Sequence, residues 1–226
     1  MEDQVSVSMR SSKGSSREIM HEVTACGTRV IQLDAMHADF LALTSSGRRD
    51  LAVTLRRFGL RASGVDFLAP PSSWEEEPDK TLQAFKDAVA IAEAVGNVPV
   101  GTRMPDEHGV TSIALAVGHR YGVLVSTHGV APPSDPQIGW HLPVSLLAKI
   151  DQPMKSLAAA SLGPMAVRLT GDVVGETTIE IDGNQVQLRE MRGVIDAMRW
   201  NPSSIVDAAG DQAVQLIHAW QVAGPW

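Results

Sequence analysis

Eight times along its length the sequence passes from a short apolar or alternating run to a segment with helical spacing. Parallel strands need long crossovers and the crossovers carry helices, so that order selects a parallel sheet covered by helices. Residues 4–10 (QVSVSMR) alternate Val5, Val7 and Met9 with serines, the period of a strand. After a flexible break at 11–16, a helix is predicted over 17–25, capped by Ser16, with Ile19, Met20 and Val23 on one stripe and Gly27 as its stop. Further strands are predicted at 29–33, 60–68, 98–103, 123–126, 138–142, 165–169 and 204–206. Helical spacing marks 47–58, 79–95, 109–120, 144–149, 154–160, 190–199 and 211–222. Residues 178–188 alternate around Asp182-Gly183 and read as a hairpin outside the main pattern.

Eight strand–helix units favour a closed (β/α)8 barrel over an open doubly wound sheet. No GxGxxG or GxxxxGK[ST] loop supports the open-sheet nucleotide-binding alternative. Such barrels typically take ~250 residues, and with no repeat or internal linker residues 1–226 are expected to form one domain.

One unit is incomplete. Between the fifth and sixth strands lies HGVAPPSDPQ, with Pro132, Pro133 and Pro136 after Gly129. Proline removes amide donors and blocks a helix interior, so the helix between strands five and six is predicted to be missing. The uncovered flank, including Leu124, is then the candidate surface for self-association into a homo-oligomer.

A net charge of −7 and a pI near 5.4 argue against a nucleic-acid or anionic-membrane partner. No run approaches the ~18 apolar residues of a membrane span, and residues 1–16, with Glu2 and Asp3, do not read as a secretory signal. The lone Cys26 excludes an internal disulfide and fits a reducing compartment. A cytoplasmic location is expected.

Particular stretches carry a resemblance. VIQLDA, SSGRRDLAVTLRRFGLRASGVDF, the long helix ending IAEAVG, LPVSLLAKIDQPMKSLAAASLGPMAVRLTGD and the segment 186–207 resemble the sugar phosphate isomerase/epimerase family of xylose-isomerase-like barrels. The resemblance implies a small sugar or sugar phosphate as ligand. It also implies one divalent metal at the carboxyl ends of the strands, and proton transfer next to a sugar carbonyl through an enediolate. The family's ligands are a Glu after strand five, an Asp after strand six, a His on strand seven and a Glu after strand eight. At those places this chain has Thr127, Leu142, Arg168 and Asp207. An arginine in the ligand shell brings a permanent positive charge that repels a divalent cation.

Asp34, Asp66, Arg103, His128, His141, Asp172 and Asp207 fall at or beyond strand carboxyl ends, where barrel active sites sit. Asp207 and Asp172 are the candidate catalytic carboxylates. His128, His141 and Asp207 are the candidate metal ligands. Arg103 and Arg168 could grip a phosphate or carboxylate through forked hydrogen bonds, or pair with a neighbouring Asp inside the mouth. Asp34 and Asp66 join them as candidate substrate contacts. Trp74, in the loop after strand three, could stack on a sugar ring or plug the barrel mouth. Two functions stay open: an isomerase or epimerase with an altered metal site, or a non-catalytic barrel that binds a ligand or partner.

Overall fold

The computed structural model describes residues 5–104 and 108–224. Its first strand, β1 (Val5–Ser8), is buried at all four positions. Parallel strands packed on side chains within and helices without demand that. The ring continues through β2 (Val30–Asp34), β3 (Arg61–Phe67), β4 (Val100–Thr102), β5 (Val125–His128), β6 (Gly139–Pro143) and β7 (Ala166–Leu169). Three antiparallel strands come next in the chain: β8 (Asp172–Val173), β9 (Thr178–Ile181) and β10 (Asn184–Gln187). The last strand, β11 (Ser203–Val206), pairs with β7 on one side and β1 on the other, Ser6 lying opposite Ile205. That pairing closes a parallel barrel of eight strands, β1 to β7 and β11. The open-sheet alternative is excluded.

Helices fill most of the crossovers. α1 (Ser16–Ala25) begins one residue earlier than predicted, because Ser15 and Glu18 form a reciprocal capping box. α2 (Ser45–Arg57) is capped by Thr44, whose hydroxyl accepts from the Gly47 amide. A short helix, α3 (Ser73–Glu76), forms in the predicted loop after β3, and α4 (Pro78–Ala94) follows it with proline in its first turn. α5 (His108–Tyr121) follows β4. α6 (Val144–Leu147) and α7 (Pro153–Ala158) connect β6 to β7. α8 (Leu188–Ala197) lies between β10 and β11, and α9 (Gly210–Val222) closes the circuit. No helix among the described residues is long and apolar enough to cross a membrane.

The hairpin forms where Asp182-Gly183 marked it. Both residues have positive φ (53° and 78°), as a two-residue type I′ turn requires. The third strand beside it, β8, was not foreseen.

Residues 129–138 carry no helix, as the prolines dictate. The Trp140 indole donates to the Gly129 carbonyl (2.8 Å), and the Gly129 amide donates to the His141 carbonyl (3.1 Å). These bonds pin the start of the loop to β6. Leu124 and Leu162 remain 45% and 49% exposed on this flank.

Two boundary shifts matter for function. β5 runs to His128 instead of stopping at residue 126, which places His128 within the barrel opposite His141. β1 ends at Ser8, and a 3-10 turn over Met9–Ser11 follows at the barrel mouth, carrying Arg10.

Candidate active site at the carboxyl end of the barrel

β3 and β7 stand four strands apart in a ring of eight, on opposite sides of the barrel. Asp66 on β3 and Arg168 on β7 meet across the interior. Arg168 Nη1 donates to Asp66 Oδ1 at 2.9 Å and Nη2 to Oδ2 at 2.8 Å, a forked pair. The same guanidinium donates through Nε and Nη2 to Oδ2 and Oδ1 of Asp207, at 2.8 and 2.6 Å. Asp207 follows β11, its backbone amide bonded to the Leu169 carbonyl (2.7 Å). Gln32 on β2 completes the set, donating to Asp66 Oδ1 at 2.9 Å and accepting from the Ser63 hydroxyl at 2.8 Å.

Burial alone would push the Asp66 carboxyl up, but the charge and hydrogen bonds of Arg168 outweigh it and hold it below its ordinary value. Burial likewise opposes the charge on Arg168, and the two carboxylates more than restore it.

Beside this pair stand the two histidines, ring centroids 5.1 Å apart. Burial, the Arg168 charge and His141 push His128 down to about 2. Burial and Arg168 push His141 down to about 4. Both are therefore neutral at ordinary pH. Ser126 has one hydroxyl proton, which goes to the Val100 carbonyl (3.2 Å), so His141 Nε2 must donate to Ser126 Oγ (3.2 Å). That fixes the tautomer and leaves a lone pair on His141 Nδ1. His141 Nδ1 and His128 Nε2 are buried without a hydrogen-bond partner among the described residues. Gly101 keeps this space open: a Cβ there would lie 3.1 Å from Asp66 Oδ1, 3.3 Å from His128 Nε2 and 3.3 Å from His141 Cε1.

Above these groups a cavity of about 620 Å³ opens at the strand ends, lined by Arg168, Asp207, His128, Thr127, Arg10 and Arg103 among others. Arg10 Nε lies 3.8 Å from Asp34, whose carboxyl is pushed up by burial despite the Met36 amide and Arg10.

Of the residues marked from the sequence, Arg103, His128, Arg168 and Asp207 line this cavity. Asp66 and His141 are fully buried beside it, and Asp34 reaches it only through Arg10. Three expectations need correction. Asp172 lies on β8, exposed and bonded to the Gln212 amide (2.9 Å), outside the barrel and away from the cavity. Trp74 is 5% exposed, because α3 turns it inward onto Phe67 and Phe85. Its indole donates to the Arg103 carbonyl (3.2 Å) and offers no open face to a ligand. The candidate metal trio also changes. The donor atoms that come within 4.8 Å of one another belong to Asp66, His128 and His141, whereas Asp207 is engaged by Arg168.

A divalent cation does not fit these residues as they stand. Asp66 is bonded by Arg168 and Gln32, and the guanidinium supplies the positive charge that a metal would bring. Adding a cation would bury positive charge in excess of the carboxylates.

No family model and no curated protein matches this sequence. Solved structures do. A D-psicose 3-epimerase from Clostridium cellulolyticum H10, crystallised with D-tagatose, superposes with a TM-score of 0.67 at 9% identity, over 97% of this chain and 96% of that one. A sugar phosphate isomerase/epimerase from Parabacteroides distasonis ATCC 8503 gives 0.63 at 13% identity, over 98% and 94%. The fold is the xylose isomerase-like barrel. A third example of that barrel, the IolI protein with a bound zinc atom, gives a TM-score of 0.68 at 13% identity, over 97% and 94%. At such identities the likeness establishes architecture, and the residues of this xylose isomerase-like barrel must speak for its chemistry.

Sequence reasoning missed Gln32, Ser126 and Gly101. The last two are adjacent in register, Gly101 opposite Ser126, on strands that were foreseen. The side-chain alternation of those strands was the signal that pointed to them.

Proposed function

We propose that this chain, as a single cytoplasmic domain, binds a small sugar or sugar phosphate in the barrel mouth and does so without a divalent metal. The observation that carries the reading is the Arg168 guanidinium, held between Asp66 and Asp207 in the floor of the cavity. A cavity of about 620 Å³ suits a small polar ligand. Asp207, whose side chain is 27% exposed, has lone pairs to accept sugar hydroxyls, while Arg10 and Arg103 offer cationic groups for a phosphate. The neighbouring folds named for sugar isomerases and epimerases support the ligand class.

The family's reaction, proton transfer through a metal-stabilised enediolate, needs a cation that these residues do not fit, because Arg168 and Gln32 already engage Asp66, so the proposal is of a binding barrel. Isothermal titration in EDTA with fructose and fructose 6-phosphate tests it. Saturable heat is expected, with the phosphate ester preferred and that preference reduced by Arg103→Ala. Binding that appears only on adding a divalent metal, or EDTA-sensitive epimerisation of either sugar, would overturn the reading.

A further inference from the structure

Nη2 of Arg168 lies 2.8 Å from Asp66 Oδ2 and 2.6 Å from Asp207 Oδ1, so a single cationic nitrogen bridges two carboxylates, one on β3 and one just after β11. Around it are two imidazoles, each with a buried nitrogen lacking a hydrogen-bond partner among the described residues. The His141 lone pair is fixed at Nδ1 by the Ser126 bond. Asp66, His128 and His141 present donor atoms within 4.8 Å of one another, and Gly101 leaves the space between them unfilled. Two imidazoles with carboxylate oxygens make a donor set that suits zinc. What the set lacks is room for more positive charge.

We infer that Arg168 occupies the electrostatic place of a divalent cation, and that Asp66, His128 and His141, with the Asp207 charge beside them, form a latent zinc site which its guanidinium keeps closed. The argument is one of charge. One guanidinium against two carboxylates leaves a single net negative charge, which a zinc ion would overturn while adding its own desolvation cost. With the guanidinium gone, the two carboxylates balance zinc, and His128 Nε2 and His141 Nδ1, buried without a hydrogen-bond partner among the described residues, stand ready as imidazole donors. This inference is independent of what the cavity above binds.

The experiment is zinc titration of EDTA-dialysed wild type, Arg168→Met and Arg168→Met/His128→Ala, read by calorimetry, bound zinc after desalting, and the zinc-induced shift in Tm. The wild type is expected to retain no stoichiometric zinc. Arg168→Met is expected to bind one equivalent on the order of 100-fold more tightly than wild type and to gain thermal stability from it. The added His128→Ala removes both effects, and Arg168→Lys, which keeps the charge, shows neither. If Arg168→Met folds only when refolded with zinc, the inference stands. Stoichiometric zinc in wild type that His128→Ala removes would overturn it. So would a folded Arg168→Met without a zinc gain, or a gain that survives His128→Ala. Failure of both Arg168→Met and Arg168→His to fold even with zinc present would also overturn it.

Discussion

Arg168 meets Asp66 end-on across the barrel, both guanidinium termini bonded to both carboxylate oxygens, with the side chains 3% and 0% exposed. An ion pair this buried gives little net stability over an apolar replacement, yet breaking it from one side leaves a charge with neither water nor partner. Asp66→Asn is therefore expected to cost about 3 kcal/mol in urea unfolding at pH 7.5. Asp207→Asn, on the partly exposed side of the guanidinium, should cost about 1 kcal/mol. Asp66→Asn/Arg168→Met should be less damaging than the two single losses added together. Additive losses would show that the pair is not coupled as the geometry requires.

The two histidines set an acid limit. Both are held neutral in the folded chain, His141 at about 4 and His128 at about 2, against an ordinary value of 6.5. Unfolded chains take up these protons first, so stability is whole above pH 6.5 and falls as pH drops toward 4 for His141 and toward 2 for His128. Between pH 7.5 and 5 the two together should remove roughly 4 kcal/mol. Urea midpoints across pH 5 to 7.5 measure this, and His141→Gln should flatten the slope by about half. An unchanged slope in that variant would remove His141 from the account.

The barrel was legible because its signals are local. Period-two runs, amphipathic stripes and the prolines at 132, 133 and 136 each act within a dozen residues, and they gave the strand order, the closure and the missing helix. The site is not local. Arg168 stood out because it replaces an expected His, but its principal partner lies 102 residues earlier and on the opposite strand. That pairing follows from the barrel itself: β3, β5 and β7 alternate around the ring and send Asp66, His128 and Arg168 to one cluster. The two-residue shift of β5 hid this, since a strand ending at residue 126 leaves His128 in a loop. Asp172 misled for the converse reason. It follows a strand end closely, yet Gly171, at φ 108°, turns the chain into an antiparallel sheet outside the barrel.

Gly101 offers a test of the cluster that changes no charge. A methyl group at this position would sit 3.1 Å from Asp66 Oδ1 and 3.3 Å from His128 Nε2, tighter than neighbours accept without moving. The interior strands cannot shift freely, so Gly101→Ala is expected to cost about 1–3 kcal/mol. The strain should also displace the histidines, changing the acid slope described above. Wild-type stability in this variant would mean that the space between Asp66, His128 and His141 is larger than the structure shows.

Trp74 separates a plug from a platform. Its ring packs edge-on against Phe67 and Phe85, with centroids 6.2 and 5.8 Å away, and its one polar atom bonds the Arg103 carbonyl. A buried aromatic of this kind contributes through packing, so Trp74→Ala should cost about 3–5 kcal/mol. Trp74→Phe keeps much of the contact and loses the hydrogen bond, for about 1–2 kcal/mol. Because no face of the ring is open to the cavity, Trp74→Phe should change fructose 6-phosphate affinity by less than about threefold, under 1 kcal/mol. Urea unfolding and titration calorimetry on this one variant decide the matter. A stable Trp74→Phe protein that binds more than about tenfold more weakly would place the indole against the ligand and return Trp74 to the binding site.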